Sequence, residues 1–369
     1  MTETPITSDS RLPVALITGF LGSGKTTLLN RLLHHPAMSA TAVVINEFGD
    51  VPLDQLFVEE TDGEIVVMAN GCLCCSVQDD IEGVIGRLFA RRNKGTLPAF
   101  ERMVVETSGL ADPAPIMQML LNQPLVMDNF RLDSVVTLVD AVHAERQVAE
   151  NEEAFKQVVL ADRLVITKTD LASPDAVERL KRELSRLNPG AALMIATNGE
   201  LPPEAIFGAT NIDSVMAADR WLTLRAETHS HDANLKEREA DHYLASHAHS
   251  KGVVCCSLAF PTALRWRELN RWLTAFRIKH GERLLRVKGI VELEGEPAPV
   301  ALHGVHHVFH PPLPLLHLRG RGLRGARLVV IARDLGEDEI NLSWQTFVAE
   351  QTQPALNQYL YSMFTVKND

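Results

Sequence analysis

Short, continuous apolar runs recur along the first two hundred residues, and segments with a helical pattern lie between them. The first run, residues 12–18, ends in a glycine-rich turn that leads into a helix-compatible stretch from Lys25 to Leu33. Continuous Val- and Ile-rich runs, unlike alternating ones, are typical of strands buried on both faces of a parallel sheet. This half of the chain is therefore predicted to be an α/β domain with a doubly wound, mostly parallel sheet. The other apolar runs span residues 41–45, 64–68, 102–107, 134–140, 163–170 and 192–197, and helices are predicted at residues 77–92 and 173–187.

The pattern changes after residue 226, where a polar, charged and histidine-rich segment indicates a linker. Strand-like and helical patterns follow it and predict a smaller α+β domain. A helix there is expected to end at Gly281, and the last helical pattern is expected to be interrupted at Pro354. We therefore divide the chain into a disordered tail (residues 1–11), an α/β domain (12–226), a histidine-rich linker (227–250) and a smaller α+β domain (251–369).

A glycine-rich segment directly after the first predicted strand matches the phosphate-loop pattern G-x-x-x-x-G-K-[ST]. Its glycines allow the backbone to wrap around a phosphate chain and to point N–H groups at it. Lys25 is placed to reach the β- and γ-phosphates, and the Thr26 hydroxyl group is placed to ligate Mg²⁺. The alternative, a chance glycine-rich turn, would not account for the strand before it and the helix after it. The residues predicted to bind the nucleotide here are Gly22, Ser23, Gly24, Lys25, Thr26 and Thr27.

The run at residues 102–107 supplies an acidic residue at a second strand end. Nucleoside triphosphatases of this type need such a residue to hold Mg²⁺ or its water, and Glu106 fills that role. Gly109 offers a backbone N–H that could sense the γ-phosphate and begin a mobile switch. An ordinary strand end is the alternative for this segment alone, and the neighbouring phosphate loop favours the functional interpretation.

The run at residues 163–170 ends in Thr167-Lys168-Thr169-Asp170, which resembles the guanine-reading motif [NT]-K-x-D of GTPases. The Asp170 carboxylate can accept hydrogen bonds from N1–H and N2–H₂ of guanine, whereas adenine offers no donor at N1. The stem of Lys168 can cover one face of the base. Thr167 stands where Asn is commoner, so its hydrogen bond to the base or to the phosphate loop is expected to be weaker. The combination favours GTP over ATP.

Three cysteines, Cys72, Cys74 and Cys75, lie within four residues and follow Asn70-Gly71. As thiolates they are soft ligands that suit Zn²⁺ or a related ion such as Co²⁺. Three ligands leave a fourth position for water, a carboxylate or a ligand of a client protein, which suits transfer better than a closed structural site does. Burial as small apolar residues and a redox pair are the alternatives, and a turn that begins Asn-Gly disfavours burial.

Glu47 follows the strand predicted at residues 41–45, which is where the first switch of a GTPase belongs. It could contact Mg²⁺ or supply an oxygen ligand to the thiol site, and a solvated loop acid is the alternative. The predicted catalytic residues are thus Lys25, Glu106 and Glu47.

The charge balance argues against one class of partner. With 47 acidic and 36 basic residues, the formal net charge is −11, which disfavours nucleic-acid binding. The polar N-terminus lacks the pattern of a signal peptide and no apolar run is long enough to span a bilayer, so we expect a cytoplasmic protein without a membrane partner. The five cysteines are odd in number and clustered, unlike those of a disulfide scaffold. The oligomeric state stays open.

The order of the segments GFLGSGKTT, NEFGD, GCLCC, ETSG and TKTD resembles the CobW-type metallochaperone GTPases. Residues 286–289 (RVKG) and 304–312 are similar to that family's C-terminal domain, so the resemblance covers nearly the whole chain beyond the first ten residues. It implies a GTPase domain, a smaller C-terminal domain and GTP-dependent delivery of Zn²⁺ or Co²⁺ to a client apo-metalloprotein. It also implies that Gly22, Gly24, Lys25, Thr26 and Thr27 bind phosphate and Mg²⁺, that Cys72, Cys74 and Cys75 bind metal, and that Lys168 and Asp170 read the base.

From this resemblance we expect GTP and Mg²⁺ to order the switches and to bring the thiols into a metal-binding geometry that hydrolysis then loosens. Three alternatives stay open. The chain could be a dedicated maturation factor for one cobalt or iron enzyme, or a metal buffer or sensor with incidental GTPase activity. It could also be a P-loop kinase, which would need neither TKTD nor GCLCC.

Other histidines, cysteines and aromatic residues are weaker candidates. The linker histidines suit either a low-affinity metal reservoir or a linker that happens to contain His. Those of the second domain are expected to be structural, Cys255 and Cys256 to lie in the core, and Trp266, Trp272 and Phe276 to pack along a helix. The histidines concerned are His229, His231, His242, His247 and His249 in the linker and His303, His306, His307 and His310 in the second domain.

Overall fold

The structure, a computed structural model, describes residues 11–45, 67–69, 77–197, 199–208, 252–320 and 324–365. These residues form two compact units, one that ends at residue 208 and one that begins at residue 252. The domain boundaries predicted at residues 226 and 250 lie outside the described residues, and so does the predicted tail except for Arg11.

The first unit is built on a seven-stranded parallel sheet, which confirms the predicted α/β class. The strand order is β3-β2-β4-β1-β5-β6-β7, so that the first strand lies at the centre. The central strands are buried on both faces, as their continuous apolar runs predict. The strands are β1 (Leu12–Gly19), β2 (Thr41–Ile45), β3 (Val67–Ala69), β4 (Arg102–Glu106), β5 (Phe130–Asp140), β6 (Arg163–Thr167) and β7 (Ala192–Ile195).

Helices connect these strands and bury apolar side chains that recur at helical spacing. The clearest case is the helix after β6, where Val177, Leu180 and Leu184 are buried on one face. Ser173 caps this helix, because its side chain accepts a hydrogen bond from the Ala176 N–H at 3.3 Å. The helices are α1 (Lys25–Leu33), α2 (Val77–Asn93), α3 (Ala114–Asn122), α4 (Pro124–Met127), α5 (Ala144–Glu150), α6 (Glu152–Leu160) and α7 (Pro174–Leu187).

The register of the parallel strands aligns their carboxyl ends at one edge of the sheet. Glu106 at the end of β4 pairs with Ile17 of β1 and with Ile45 of β2, and Asp140 at the end of β5 pairs with Thr167 of β6. In doubly wound sheets, ligands bind at this edge, beside the strands where the chain order reverses. The phosphate loop, which follows β1, therefore starts at the centre of that edge.

One strand is longer than its sequence pattern predicts. β5 begins at Phe130 rather than at residue 134. Arg131 and Asp133 interrupt the apolar pattern, but the two side chains pair with each other, and this ion pair allows Asp133 to be fully buried. Because these two polar residues pair with each other, the start of the strand lacks the continuous apolar pattern by which a buried strand is predicted.

The second unit combines an antiparallel sheet with two helices, in agreement with the predicted α+β class. The main strand order is β11-β10-β9-β13-β8, and β12 pairs with β10. Stacked and edge-on rings of Trp272, Phe276, Trp344 and Phe347 join the helices over one face of this sheet. The elements are β8 (Val253–Phe260), α8 (Trp266–His280), β9 (Leu284–Val291), β10 (Val300–Val305), β11 (Val308–Phe309), β12 (Leu313–Pro314), β13 (Ala326–Arg333) and α9 (Glu337–Thr365).

Several details of the second unit correct or confirm the sequence analysis. α9 continues through Pro354, so the predicted interruption is wrong: a proline removes one N–H donor, and the other backbone hydrogen bonds of this long helix hold it together. Trp272 and Phe276 are buried, as predicted, but Trp266, the first residue of α8, is 39% exposed. Helix α8 ends at His280, directly before Gly281, as predicted.

Cys255, Cys256 and His303 lie on strands of this sheet, whereas His306 and His310 lie just outside them. Cys256 is buried in the core, whereas Cys255, on the opposite face of β8, is only partly buried and so does not fit the predicted core position. His303 and His310 are buried, and His303 pairs with Lys288 across β10 and β9. His306 lies in the tight turn after β10 with a positive φ of 51°. None of the helices in the described ranges is long and apolar enough to cross a membrane.

Candidate nucleotide-binding site

The phosphate loop has the backbone conformation that its glycines predict. Gly22 and Gly24 have positive φ values of 73° and 94°, which residues with a Cβ rarely adopt, and Gly24 is the N-cap residue directly before helix α1. The Lys25 ammonium donates hydrogen bonds to the carbonyl oxygens of Gly19 at 2.9 Å and of Phe20 at 3.4 Å. The lysine thus lies folded over the loop, where a phosphate group can compete for its donors.

The phosphate-loop motif has two further residues with hydroxyl groups besides Thr26, namely Ser23 and Thr27. The Ser23 amide donates to the carbonyl oxygen of Phe20 at 3.1 Å, and the Ser23 side chain is buried beneath the loop. Thr27 is exposed in the first turn of α1 and lies beside Gly199, in the segment that follows β7. A Cβ added to Gly199 in that segment would lie 3.2 Å from the Thr27 methyl group.

Thr26 and Glu106 meet across the sheet edge. The Thr26 hydroxyl donates to Glu106 Oε1 at 3.4 Å, although the two residues are 80 positions apart in the sequence. Glu106 is buried, with 4% of its surface exposed. A hydroxyl group and a carboxylate are the hard oxygen ligands that Mg²⁺ prefers, so the donor set fits this ion. The structure thereby brings together the two side chains predicted to hold Mg²⁺.

Gly109 packs directly against the phosphate loop. A Cβ at this position would lie 2.7 Å from the Leu21 side chain and within 3 Å of the Leu21 backbone, so only glycine fits without a shift. Gly109 thus lies beside the phosphate loop, and its role in sensing the terminal phosphate stays a prediction.

Two side chains of helix α6 form hydrogen bonds to the segment after Glu106. The sequence analysis did not predict these contacts. The Gln157 side chain donates to the carbonyl oxygens of Gly109 at 3.1 Å and of Ala111 at 3.0 Å. The neighbouring Lys156 donates to Asp112 at 2.8 Å. A lone glutamine inside an apolar helix pattern is the only sequence signal for this contact, and it does not reveal which loop the side chain reaches.

At the other end of the site, Thr167 connects the base-reading segment to the phosphate loop. Its hydroxyl group donates to the buried Ser23 carbonyl oxygen at 2.8 Å. This contact has ordinary hydrogen-bond length, and the expectation that it is weaker than the bond of an asparagine stays a prediction. Lys168 has a left-handed φ of 55°, and Asp170 is exposed beside it.

A second residue that the sequence analysis missed, Asp140, holds Lys168 in place. The Asp140 carboxylate is almost fully buried and accepts hydrogen bonds from the Lys168 ammonium at 2.7 Å and from the Val142 N–H at 2.8 Å. The imidazole of His143 lies 3.3 Å from it. Burial alone would raise the pKa of Asp140, but the bonds from Lys168 and Val142 outweigh it, so that this pKa lies below its usual 3.8.

Several predicted site residues lie outside the described residues. They are Glu47, the thiol residues Cys72, Cys74 and Cys75, and the linker histidines His229, His231, His242, His247 and His249. Within the part of the chain that the structure describes, no three His, Cys, Asp or Glu side chains are grouped closely enough to hold a metal ion.

Comparisons with known proteins match both units of the chain. The model of the CobW/HypB/UreG nucleotide-binding domain matches residues 13–195, and that of the cobalamin synthesis protein cobW C-terminal domain matches residues 253–348. A relative named zinc chaperone YjiA, from Escherichia coli K12, is 31% identical over 81% of this chain and 87% of its own length. A Pseudomonas aeruginosa protein named zinc chaperone CobW is 28% identical over 94% of both chains.

A solved structure resembles most of the chain as well. The crystal structure of Zn(II)-bound YjiA GTPase from E. coli is 29% identical and superimposes with a TM-score of 0.63. The match covers 91% of this chain and 99% of that one. The likeness thus extends over both units and is not restricted to the phosphate loop.

Proposed function

Because this chain belongs to the CobW/HypB/UreG family of P-loop GTPases, we propose that it uses GTP to deliver Zn²⁺ to a client metalloprotein. Its partners are then a guanine nucleotide and the metal-free form of that client. GTP and reduced thiols both occur in the cytoplasm, which is where we place this activity.

The observation that carries the proposal is the position of the strand that leads to the thiol motif. Ala69, the last residue of β3, pairs with Ile45, and Ile45 pairs with Glu106. Adjacent strands are about 4.8 Å apart, so Ala69 lies roughly 10 Å from Glu106 along the edge that holds the phosphate loop. Cys72 follows Ala69 by three residues, which span at most about 11 Å of chain.

This position supports a coupling between nucleotide and metal. The chain segment with Cys72, Cys74 and Cys75 starts from the same edge as Gly109 and Glu106, so a nucleotide-dependent movement of that edge can reach the thiols over a short distance. Three thiolates suit Zn²⁺ and tolerate Co²⁺, which we keep as the alternative cargo. Binding and release then follow the nucleotide state.

Mg²⁺ is the resident ion that such a site requires. The Thr26 hydroxyl group would ligate it and Glu106 would hold it or its water, with Glu47 as a further candidate. When bound, Mg²⁺ neutralises charge on the β- and γ-phosphates during hydrolysis. Lys25 adds a positive charge at the same phosphates, and Lys168 with Asp170 supplies guanine selectivity.

The test is the affinity for Zn²⁺ and for Co²⁺, measured by competition with a chelating dye, with and without Mg²⁺ and a non-hydrolysable GTP analogue. We expect the analogue to raise Zn²⁺ affinity at least tenfold, because a coupled site must bind metal more tightly in one nucleotide state. A triple variant, Cys72→Ala with Cys74→Ala and Cys75→Ala, should lose this gain. Cys255→Ala, which removes a thiol outside the motif, should keep it.

The other outcomes point to the alternatives. Metal affinity that ignores the nucleotide would contradict the chaperone proposal and favour a metal buffer or sensor with incidental GTPase activity. A preference for Co²⁺ over Zn²⁺ would favour a dedicated maturation factor. Equal affinity for ATP and GTP would remove the guanine assignment and restore the P-loop kinase.

A further inference from the structure

Gln157 is a buried polar residue at the nucleotide site that no part of the proposed function uses. Only 1% of its surface is exposed, and its amide nitrogen donates to the carbonyl oxygens of Gly109 and Ala111. Carbonyl oxygens only accept hydrogen bonds, so these two contacts fix the orientation of the amide group. Both partners belong to the segment between Glu106 and helix α3, which we call the sensor loop (residues 107–113).

The sensor loop is thus held between two surfaces. In front, Gly109 packs against Leu21 of the phosphate loop so closely that no side chain fits. On its other side, the Gln157 side chain donates hydrogen bonds to the carbonyl oxygens of Gly109 and Ala111. The position of the Gly109 peptide relative to a terminal phosphate therefore depends on the length and donors of the Gln157 side chain.

Helix α6, which carries Gln157, is itself held in place by hydrogen bonds to its neighbours. The backbone carbonyl oxygen of Gln157 accepts a hydrogen bond at 2.7 Å from the Thr137 hydroxyl group on β5 of the sheet. At the end of the helix, the buried Asn188 amide donates to the carbonyl oxygens of Val158, Val159 and Ala161 at about 3 Å. The helix is therefore fixed to the sheet and to α7, so the Gln157 side chain starts from a fixed backbone position.

The remaining atom of the amide is informative as well. Gln157 Oε1 is buried and has no hydrogen-bond partner among the described residues. An unsatisfied buried oxygen destabilises the fold, so an apolar side chain would serve better if the residue only filled space. An acceptor beside a loop that changes position with the nucleotide can take up one of that loop's N–H groups after the movement.

We propose that Gln157 is a positioning residue for GTP hydrolysis, which sets the sensor loop against the phosphate loop and so determines how Gly109 meets the terminal phosphate. This inference rests on the GTPase activity of the proposed function, and it requires neither the metal nor the client. Displacement of a reacting group or its positioning partner by about 1 Å can reduce a rate 100-fold.

The first experiment compares the full-length wild type with Gln157→Leu, which keeps the approximate shape and removes both donors. We expect kcat for GTP hydrolysis to fall about 10- to 100-fold, while the Kd for GDP changes less than about threefold. The control is Gln147→Leu on α5, whose side chain forms no hydrogen bond within the described residues and which should keep the wild-type kcat. A Gln157→Leu kcat within about twofold of the wild type would overturn the proposal.

A second variant, Gln157→Glu, separates positioning from folding. Burial among carbonyl oxygens raises the pKa of an introduced carboxyl group, which offers one donor when protonated and none when ionised. The charged neighbours Lys156 and Asp112 are paired with each other at 2.8 Å. We expect the ratio of variant to wild-type kcat to fall as pH rises from 6 to 9; a flat ratio would mean that Gln157 acts only through the fold.

Nucleotide affinities distinguish a failure of the Gln157 proposal from a failure of the proposed function. The ratio of affinities for a non-hydrolysable GTP analogue and for GDP can be measured without turnover. Gln157→Leu is expected to lower this ratio about fivefold, since under the proposal the sensor loop meets the terminal phosphate, which GDP lacks. An unchanged ratio contradicts the role of Gln157. If the wild type hydrolysed no GTP, the proposed function would fail, and this ratio would still decide the question for Gln157.

Discussion

The base end and the phosphate end of the nucleotide site are held by different kinds of contact. At the base end, the buried carboxylate of Asp140 fixes Lys168 by an ion pair and is itself held by backbone N–H groups. At the phosphate end, Gly109 is held by the neutral amide of Gln157 and by its packing against Leu21. The ion pair of the sensor loop, between Asp112 and Lys156, lies three residues further along, away from the Gly109 contact.

This difference matches what each end has to recognise. The guanine base is the same in GTP and GDP, so a charged pair that resists displacement suits that end. The terminal phosphate is present in GTP alone, and neutral hydrogen bonds can be exchanged at a lower cost when the loop moves. The base end should therefore determine affinity for both nucleotides, and the phosphate end should determine their discrimination and the rate of hydrolysis.

The largest effect is expected from removal of the positive charge at the phosphate end. Lys25→Ala should lower kcat for GTP hydrolysis by about 10²- to 10³-fold, because charge that develops on the phosphates loses its stabilising donor. Single-turnover hydrolysis of GTP measures this directly. Arg31→Ala is the control, since it removes an exposed cation of the same helix that pairs with Glu200. A loss below tenfold would show that Lys25 stays folded over the loop during the reaction.

The next effect concerns the close contact of the sensor loop. Gly109→Ala should lower kcat about 10- to 100-fold, because the added methyl group collides with Leu21 and pushes the loop away from the phosphates. Affinity for GDP, which lacks the terminal phosphate, should change little in equilibrium titrations.

The matched control for this substitution is Gly86→Ala on the exposed face of α2, where a Cβ meets no atom within 4 Å. It should leave kcat unchanged and stabilise the fold by up to about 1 kcal/mol, since alanine favours a helix over glycine. If Gly109→Ala weakened GDP and the GTP analogue equally, the phosphate end would not discriminate between them and the comparison would break.

The base end gives the opposite pattern. Asp140→Asn removes the charge that holds Lys168, and we expect affinities for GTP and GDP to fall together by about tenfold, or 1.4 kcal/mol. The value of kcat should stay within about twofold of the wild type, since the contact does not change with the reaction. Glu145→Gln, which alters a partly exposed pair with Arg179, is the control. A drop in kcat without loss of GDP affinity would contradict the division between the two ends.

Much of the first unit could be predicted from the sequence, because its signals are local. Seven apolar runs specify the parallel sheet and a glycine-rich motif specifies the phosphate loop, because strand burial and glycine conformation are visible in the local pattern. The position of Glu106 at a strand end could be predicted for the same reason, and its role at Mg²⁺ stays a prediction.

Asp140 and Gln157 could not be assigned because their roles depend on contacts between distant segments. Asp140 also stands at a strand end, but its partner Lys168 is 28 residues away, and a sequence does not show which strand ends are neighbours. Gln157 reaches a loop nearly 50 residues earlier from within an apolar helix, where its spacing resembles that of a packing residue. The positions of Glu47 and of the three thiol residues stay predictions.

A smaller effect should come from the bond that joins the two ends. Thr167→Val keeps the shape but leaves the buried Ser23 carbonyl oxygen without its 2.8 Å donor, which should lower the free energy of unfolding by about 1–2 kcal/mol. Nucleotide affinity should fall only about threefold, because the loop keeps its other contacts. Thr167→Ser retains the hydroxyl group and should restore both values in urea unfolding and titration experiments.

The smallest effect is the pH dependence that the buried carboxylate brings to stability. The pKa of Asp140 is lower in the folded state than its usual 3.8, so its ionised form stabilises the fold above that pH, and the stabilisation disappears as pH falls through the folded-state value. The free energy of unfolding of wild type minus that of Asp140→Asn, measured with urea between pH 6 and pH 3, should therefore be constant near pH 6 and shrink below pH 4. A neutral Gln157 contributes no such dependence, so Gln157→Leu should differ from the wild type by the same amount at every pH. If the Asp140→Asn difference were also independent of pH, the ion pair with Lys168 would add nothing beyond its hydrogen bonds, and both ends of the site would be held in the same way.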